Sequence, residues 1–303
     1  MPRLRPTLEH LAKQQFSDKL SWELVFVDNA STDGSAEFVG RLWAELSPTA
    51  SLVVVKEPAA GLIHARRAGI GVARGRYVVF CDDDNWLHDD YLQIAYDLLV
   101  AHPEYGAVGG RGVAVADMPL PEQWEEWQGD YACGRIAAES CVCDSIRSLF
   151  GAGLAAPVSL LRKVFAVPFV LCGRQGTTLM SGDDSEICAR IMLAGYHLYY
   201  DERLVFRHYM PDERLTDAYH RRLLQGFEQI YGLLDQYSAA IVYGRMTRWQ
   251  LLHELCRRTG SVLLHHSSRS CYKMKLFLIY GLGLMCFADN IAKQIREVQK
   301  IMK

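Results

Sequence analysis

The sequence predicts an α/β fold, a mostly parallel sheet flanked by helices, with a helical C-terminal region. Three observations carry that reading. Compact apolar runs at 22–29, 51–57 and 76–84 alternate with segments of helical spacing at 36–46 and 61–74, and strands alternating with helices of ten or more residues build parallel sheets with right-handed crossovers. The first and third runs end in carboxylates, Asp28 and Asp82-Asp83-Asp84, and ligands of such sheets bind beyond the strands' carboxyl ends. From Asp217 the pattern stays helical to the last residue.

In chain order, residues 6–16 read as a short helix, with Leu8, Leu11, Ala12 and Gln15 at helical spacing. The run WELVFVDN (22–29) has the continuous apolar character of a strand buried on both faces. Ser31-Thr32-Asp33-Gly34 is a turn, and Ser35 is placed to cap a helix over 36–46. A second strand spans 51–57, a helix 61–74, a third strand 76–84, a helix 88–102 and a strand 105–113. The segment 114–180 is irregular and rich in Gly and aromatics, including Trp124, Trp127 and Tyr131. A polar turn, SGDDSE (181–186), opens a helix through Ala194, and 198–211 reads as a strand and loop.

Half of the 303 residues are hydrophobic and 22% are charged, the balance of a soluble globular enzyme. No apolar stretch resembling a secretory signal occupies the first residues. The expectation is a cytoplasmic protein, either free or at the inner face of the membrane. Nine Cys are scattered without zinc spacing, which reads as reduced thiols. Residues 245–303 carry 11 Lys/Arg against 3 Asp/Glu although the whole chain is at −2. This basic segment behind an acidic body marks a boundary, drawn as a catalytic domain over 1–225 and a basic helical extension over 226–303.

Asp82-Asp83-Asp84 places three repelling carboxylates at one strand end, a pattern suited to a hard divalent cation that also binds substrate phosphates. A carboxylate in Gly182-Asp183-Asp184-Ser185-Glu186 stands at a helix start, where it can accept a proton as a general base. His208, just after an apolar strand, is a candidate metal ligand. Several patterns fall away. The glycines at 69, 71 and 75 precede a strand instead of following one, His253-Glu254 lacks the second His of a zinc protease, and no G-x-S-x-G occurs.

Taken in order, TLEHLAKQ (7–14), WELVFVDNASTDGS (22–35), GLIHARRAGI (61–70), YVVFCDDDNWL (77–87), GAGLAAP (151–157), SGDDSEICARIMLAGY (181–196) and HYMPDERL (208–215) resemble glycosyltransferase family 2, the inverting enzymes of the GT-A fold, in its bacterial form. The resemblance implies that Asp28 and Asp33 hold the nucleotide's base and ribose, with Arg66 nearby. It implies Asp82 and Asp84 as the D-x-D pair, Asp83 between them on the donor side, and His208 as a further metal contact. Asp184 would be the catalytic base, with Asp183 its acidic neighbour, and Trp124, Trp127 and Tyr131 would border the acceptor or pack beneath a loop. The implied cofactor is Mn²⁺ or Mg²⁺, the donor a nucleotide-diphosphate sugar, and the acceptor a saccharide or lipid-linked hydroxyl, as in cell-surface polysaccharide biosynthesis. No nucleic-acid partner is implied.

Family members begin with an apolar strand ahead of the helix matched by 7–14. This sequence starts without one, so two open strand edges beside the site are expected. A nucleotidyltransferase, or a nucleotide- or glycan-binding remnant, is the alternative. The apolar run at 276–288, flanked by Lys273, Lys275, Lys293 and Arg296, is too short to cross a bilayer. It reads either as a membrane-interface contact within 261–303 or as a helix packed on the body.

Overall fold

The computed structural model describes residues 3–17, 20–143, 149–171, 182–228, 230–265 and 267–302; Ser181 and the last part of the irregular segment, 172–180, lie outside them. Helix α1 (Leu4–Ala12) buries Leu4, Leu8 and Leu11 on one face, beginning and ending earlier than 6–16. Then come β1 (Glu23–Asn29), α2 (Ser35–Leu46), β2 (Ser51–Glu57), α3 (Leu62–Val72), β3 (Tyr77–Val79), β4 (Asn85–Leu87), α4 (Tyr91–Ala101) and β5 (Tyr105–Val115). The third strand is shorter than the apolar run because Asn85 N–H donates to the Asp82 carbonyl at 3.1 Å, closing a turn that sends the chain back as β4. Ser35 does not cap α2. Asp33 Oδ1 accepts from its N–H at 3.1 Å and its hydroxyl at 2.5 Å.

The second half supplies α5 (Trp124–Trp127), β6 (Cys141–Cys143), β7 (Ala155–Pro157), α6 (Val158–Val164), α7 (Asp183–Leu193) and β8 (His197–Tyr209). Helices α8 (Asp217–Glu228), α9 (Tyr231–Gly244), α10 (Arg248–His265), α11 (Ser268–Leu276) and α12 (Asn290–Met302) follow. The two long ladders, β1 with β2 and β5 with β8, are parallel. The short pairings of β3 and β5 with β7, and of β4 and β6 with β8, are antiparallel. Glycines let β5 approach its neighbours: a Cβ on Gly110 would lie 1.7 Å from the Leu204 carbonyl oxygen, inside hard-sphere contact.

Among the described residues β1 pairs only with β2, and β3 only with β7, so a two-stranded and a six-stranded sheet stand apart. Leu24 and Phe26 of β1 and Tyr77 and Val79 of β3 line one cleft of about 1260 Å³, which continues to Asp82 and Asp184. Site and interstrand gap are one space.

Helices α9 and α12 pack on α7, and Tyr237, Phe277 and Ile295 share a buried cluster with Ile187, Ile191 and Leu198. Beneath α7 lies a fully buried ion pair, Arg190 Nη2 to Glu186 Oε1 at 2.8 Å. Arg190 also donates to the carbonyls of Val164, Val167 and Pro168, and Glu186 accepts from the Leu171 N–H and the Tyr237 hydroxyl. Paired and hydrogen-bonded, the two charges are compatible with burial.

Candidate active site

The β4–β8 register sets Asn85 opposite His208, which brings the preceding Asp84 against that imidazole. Asp84 is 5% exposed. Its carboxylate faces His208 Nε2 at 3.4 Å, Arg214 Nη1 at 3.1 Å and Arg3 Nη1 at 3.8 Å. Burial alone would raise its pKa, but His208, Arg214 and Arg3 together outweigh that effect and hold it down to about 2. His208 Nδ1 lies 2.9 Å from the Tyr131 carbonyl. A carbonyl only accepts, so Nδ1 carries a proton, and Nε2 is the nitrogen turned to Asp84. Asn85 Nδ2 donates to Asp84 Oδ1 at 3.3 Å, and Thr7 donates to the Asp83 carbonyl at 2.9 Å, fixing the acidic turn from two sides.

The second acidic group opens α7, whose first turn carries Asp183, Asp184 and Glu186, a placement the helix dipole favours. Gly182 precedes it at φ +99°, a left-handed conformation that suits glycine. Asp183 is buried and accepts from Arg66 Nη1 at 2.7 Å. Burial is the main influence on its carboxyl and, with the Asp184 charge, raises its pKa against the opposing pull of Arg66. Asp184, half-buried, accepts from the Gly151 N–H at 3.2 Å and the Ser185 N–H at 2.7 Å. Arg66 also reaches Asp82 Oδ1 at 4.0 Å and lies over the Phe80 ring at 4.9 Å. A Cβ on Gly151 would stand 2.7 Å from Arg66 Nη2 and 3.0 Å from Asp184 Cβ, so only glycine lets these groups close up.

Asp82, Asp83, Asp84, Arg66, Asp183, Asp184 and His208 therefore line a single cleft. Asp28 and Asp33 hold their own loop instead. Asp28 Oδ1 accepts from the Ser31 N–H at 3.1 Å, and their neighbours Asn29, Ser31 and Ser35 are the ones that reach the cleft wall. Trp124 and Tyr131 belong to a buried aromatic cluster. Trp127 stacks on His220 with centroids 4.2 Å apart. Among the described residues no three His, Cys, Asp or Glu side chains converge as a ready metal cage.

Residues 2–134 match the family model of glycosyl transferase family 2. That stretch is similar to glycosyltransferase family 2. Glycosyltransferase GlyA of Streptococcus pneumoniae serotype 4 is 31% identical over 106 residues, covering 35% of this chain and 14% of GlyA. The chain thus spans only a small part of that relative. Among solved structures, the mannosyltransferase PcManGT of Pyrobaculum calidifontis, in complex with GDP-Man and Mn²⁺, superposes with a TM-score of 0.52 at 22% identity over 99% of this chain and 81% of that one. TarS 1–349 of S. aureus gives 0.50 at 15% identity, over 99% and 86%. These likenesses establish the GT-A fold.

Four contributors to this site went unread in the sequence. Arg3 and Arg214 close on Asp84, the Tyr131 carbonyl orients His208, and Gly151 donates to Asp184. Arg214 sits in the HYMPDERL segment, yet nothing local to that segment points it at a carboxylate 130 residues away.

Proposed function

We propose that this chain is an inverting glycosyltransferase that moves a sugar from a nucleotide-diphosphate donor to a hydroxyl of a saccharide or lipid-linked acceptor, with a divalent cation. The observation that carries the reading is Arg66, which contacts Asp82 of one acidic group and Asp183 of the other and so ties the donor and base sides of one cleft. Asp84 is held ionised and His208 turns one fixed nitrogen toward it, a carboxylate–imidazole pair suited to Mn²⁺ or Mg²⁺. Asp82 would complete the set from the far side of the turn. A cation held there would supply charge neutralisation to the departing diphosphate. PcManGT, which shares the fold, is described with GDP-Man and Mn²⁺.

In this reading Asp184 takes the proton of the acceptor hydroxyl, whose oxygen bonds to the anomeric carbon as the bond to the diphosphate breaks. The Gly151 and Ser185 N–H groups aim its carboxylate. Arg66 and Arg214 line the same cleft as cationic partners for phosphate. Asp28 and Asp33 shape the loop that meets the base and ribose.

The test is donor turnover with Mn²⁺ or Mg²⁺ against excess chelator, with Asp184→Asn alongside. The nearly isosteric amide cannot take a proton, so transfer should fall by roughly 10²-fold or more while donor binding persists. Full activity in chelator would remove the metal from the account, and unchanged transfer by the amide would remove the base. A second reading, a nucleotide-binding module without turnover, is favoured by the cleft running between β1 and β3; tight donor binding with no donor consumption by the wild type would select it.

A further inference from the structure

The apolar run at 276–288 is the hydrophobic landmark of the C-terminal sequence, but its first part is core. Leu276, Phe277, Ile279 and Tyr280 are all buried. In its second part Leu282, Leu284 and Phe287 are 41%, 42% and 49% exposed, and the most exposed apolar side chains lie one helix earlier, on α10. There Trp249 is 81% exposed, Leu252 52%, Leu263 75% and Leu264 80%, and Cys256 is exposed with them. At about 100° per residue, Trp249, Leu252, Cys256 and Leu263 fall within about 60° of one another, with Leu264 beside them. The opposite side, Leu251, Glu254, Leu255, Arg258 and Val262, is the side turned to the body.

Basic side chains flank this stripe. Arg248 and Arg257 flank it, and both are exposed. The one carboxylate of α10, Glu254, is buried, where it accepts twice from Arg257 at 2.7 Å and pairs with Arg258. It offers nothing to the outer face. Helix α11 adds exposed Arg269 and Lys273, while its Lys275 pairs with Asp289 at 3.6 Å. A second copy of so cationic a surface would be repelled. A narrow stripe of Trp and Leu in a basic frame matches the headgroup boundary of an anionic bilayer, where the ring and leucines enter the acyl edge and the arginines meet lipid phosphates. Among the described residues no helix is long and apolar enough to cross a membrane, so this is attachment along the surface.

We propose that the outer face of α10, centred on Trp249, Leu252, Leu263 and Leu264, docks the protein onto anionic lipid membranes. The proposal is independent of the reaction assigned to the cleft.

The test is sedimentation of the full chain with vesicles of phosphatidylcholine alone or mixed equally with phosphatidylglycerol. Variants are the triple change Trp249→Ser, Leu263→Ser, Leu264→Ser, and Met118→Ser, which removes an exposed apolar side chain (59%) elsewhere. The wild type and Met118→Ser are expected to pellet with the mixed vesicles and stay soluble with phosphatidylcholine. The triple variant, which alters only exposed side chains, should keep its thermal midpoint and lose roughly ten-fold or more of its vesicle affinity. Raising salt from about 0.1 to 0.5 M should weaken wild-type binding. Wild type that stays in the supernatant with anionic vesicles, a triple variant that binds as well as wild type, or a salt-stable dimer that the triple change dissolves would each overturn the proposal.

Discussion

Arg66 and Asp183 meet at 2.7 Å although 117 residues separate them in the chain. Both side chains are buried, so each is the other's means of remaining charged. The contact joins α3 to the first turn of α7, and the geometry of the site depends on it.

The glycine at 151 decides whether that contact and Asp184 can coexist. Gly151→Ala places a methyl 2.7 Å from Arg66 Nη2 and 3.0 Å from Asp184 Cβ. Arg66 must swing away or Asp184 must turn, and a misplacement of this order costs about 10- to 100-fold in rate. The expected result is reduced transfer with a nearly unchanged urea midpoint. Wild-type kcat in this variant would show that Asp184 does not need its present position.

Asp84 predicts an acid limb of stability. Its carboxyl ionises at about 2 in the folded state, below the ordinary value near 4 for an aspartate in an unfolded chain. Between these values the unfolded chain binds more protons, so stability rises with pH there. The contribution, about 2 kcal/mol at most, is fully present above pH ~4 and is lost as pH falls through about 2. Asp84→Asn should flatten this limb in urea titrations run from pH 5 to 2, and an identical slope in both proteins would contradict the ion cluster.

Arg190→Met removes the cation from a fully buried pair and leaves Glu186 uncompensated. A loss of about 3–5 kcal/mol is expected. Replacing both partners, Arg190→Met with Glu186→Gln, should recover part of it. Chemical denaturation of the two variants measures the difference, and additive losses would show that the two charges do not depend on each other.

The facing edges of β1 and β3 predict a response to an added strand. Leu4 and Thr7 of α1 line the same cleft as these edges, so a segment fused ahead of Met1 has a short path into it. Fusing about 10–15 residues, an apolar strand and its turn, should raise the thermal midpoint by several degrees and tighten nucleoside diphosphate binding in calorimetric titration. A charged segment of equal length should do neither. Equal behaviour of the two fusions would mean that the cleft does not accept a strand.

The sequence by itself determined the order of the main elements up to residue 113, the resemblance to glycosyltransferase family 2, and the types of residue at the strand ends. Those features are local: apolar runs, helical spacing and short motifs such as DDD and GDDSE are written in neighbouring residues. Only the tertiary structure decided what the acidic groups contact. It engaged Asp28 and Asp33 in loop hydrogen bonds, set Arg3 and Arg214 on Asp84, and joined Asp82 to Asp183 through Arg66. It also buried the apolar start of 276–288 while leaving Trp249, Leu263 and Leu264 in solvent. Each of these turns on contacts between distant segments and on which helix face meets the core. Periodicity names an apolar face, but the packing of the whole chain chooses which faces are covered.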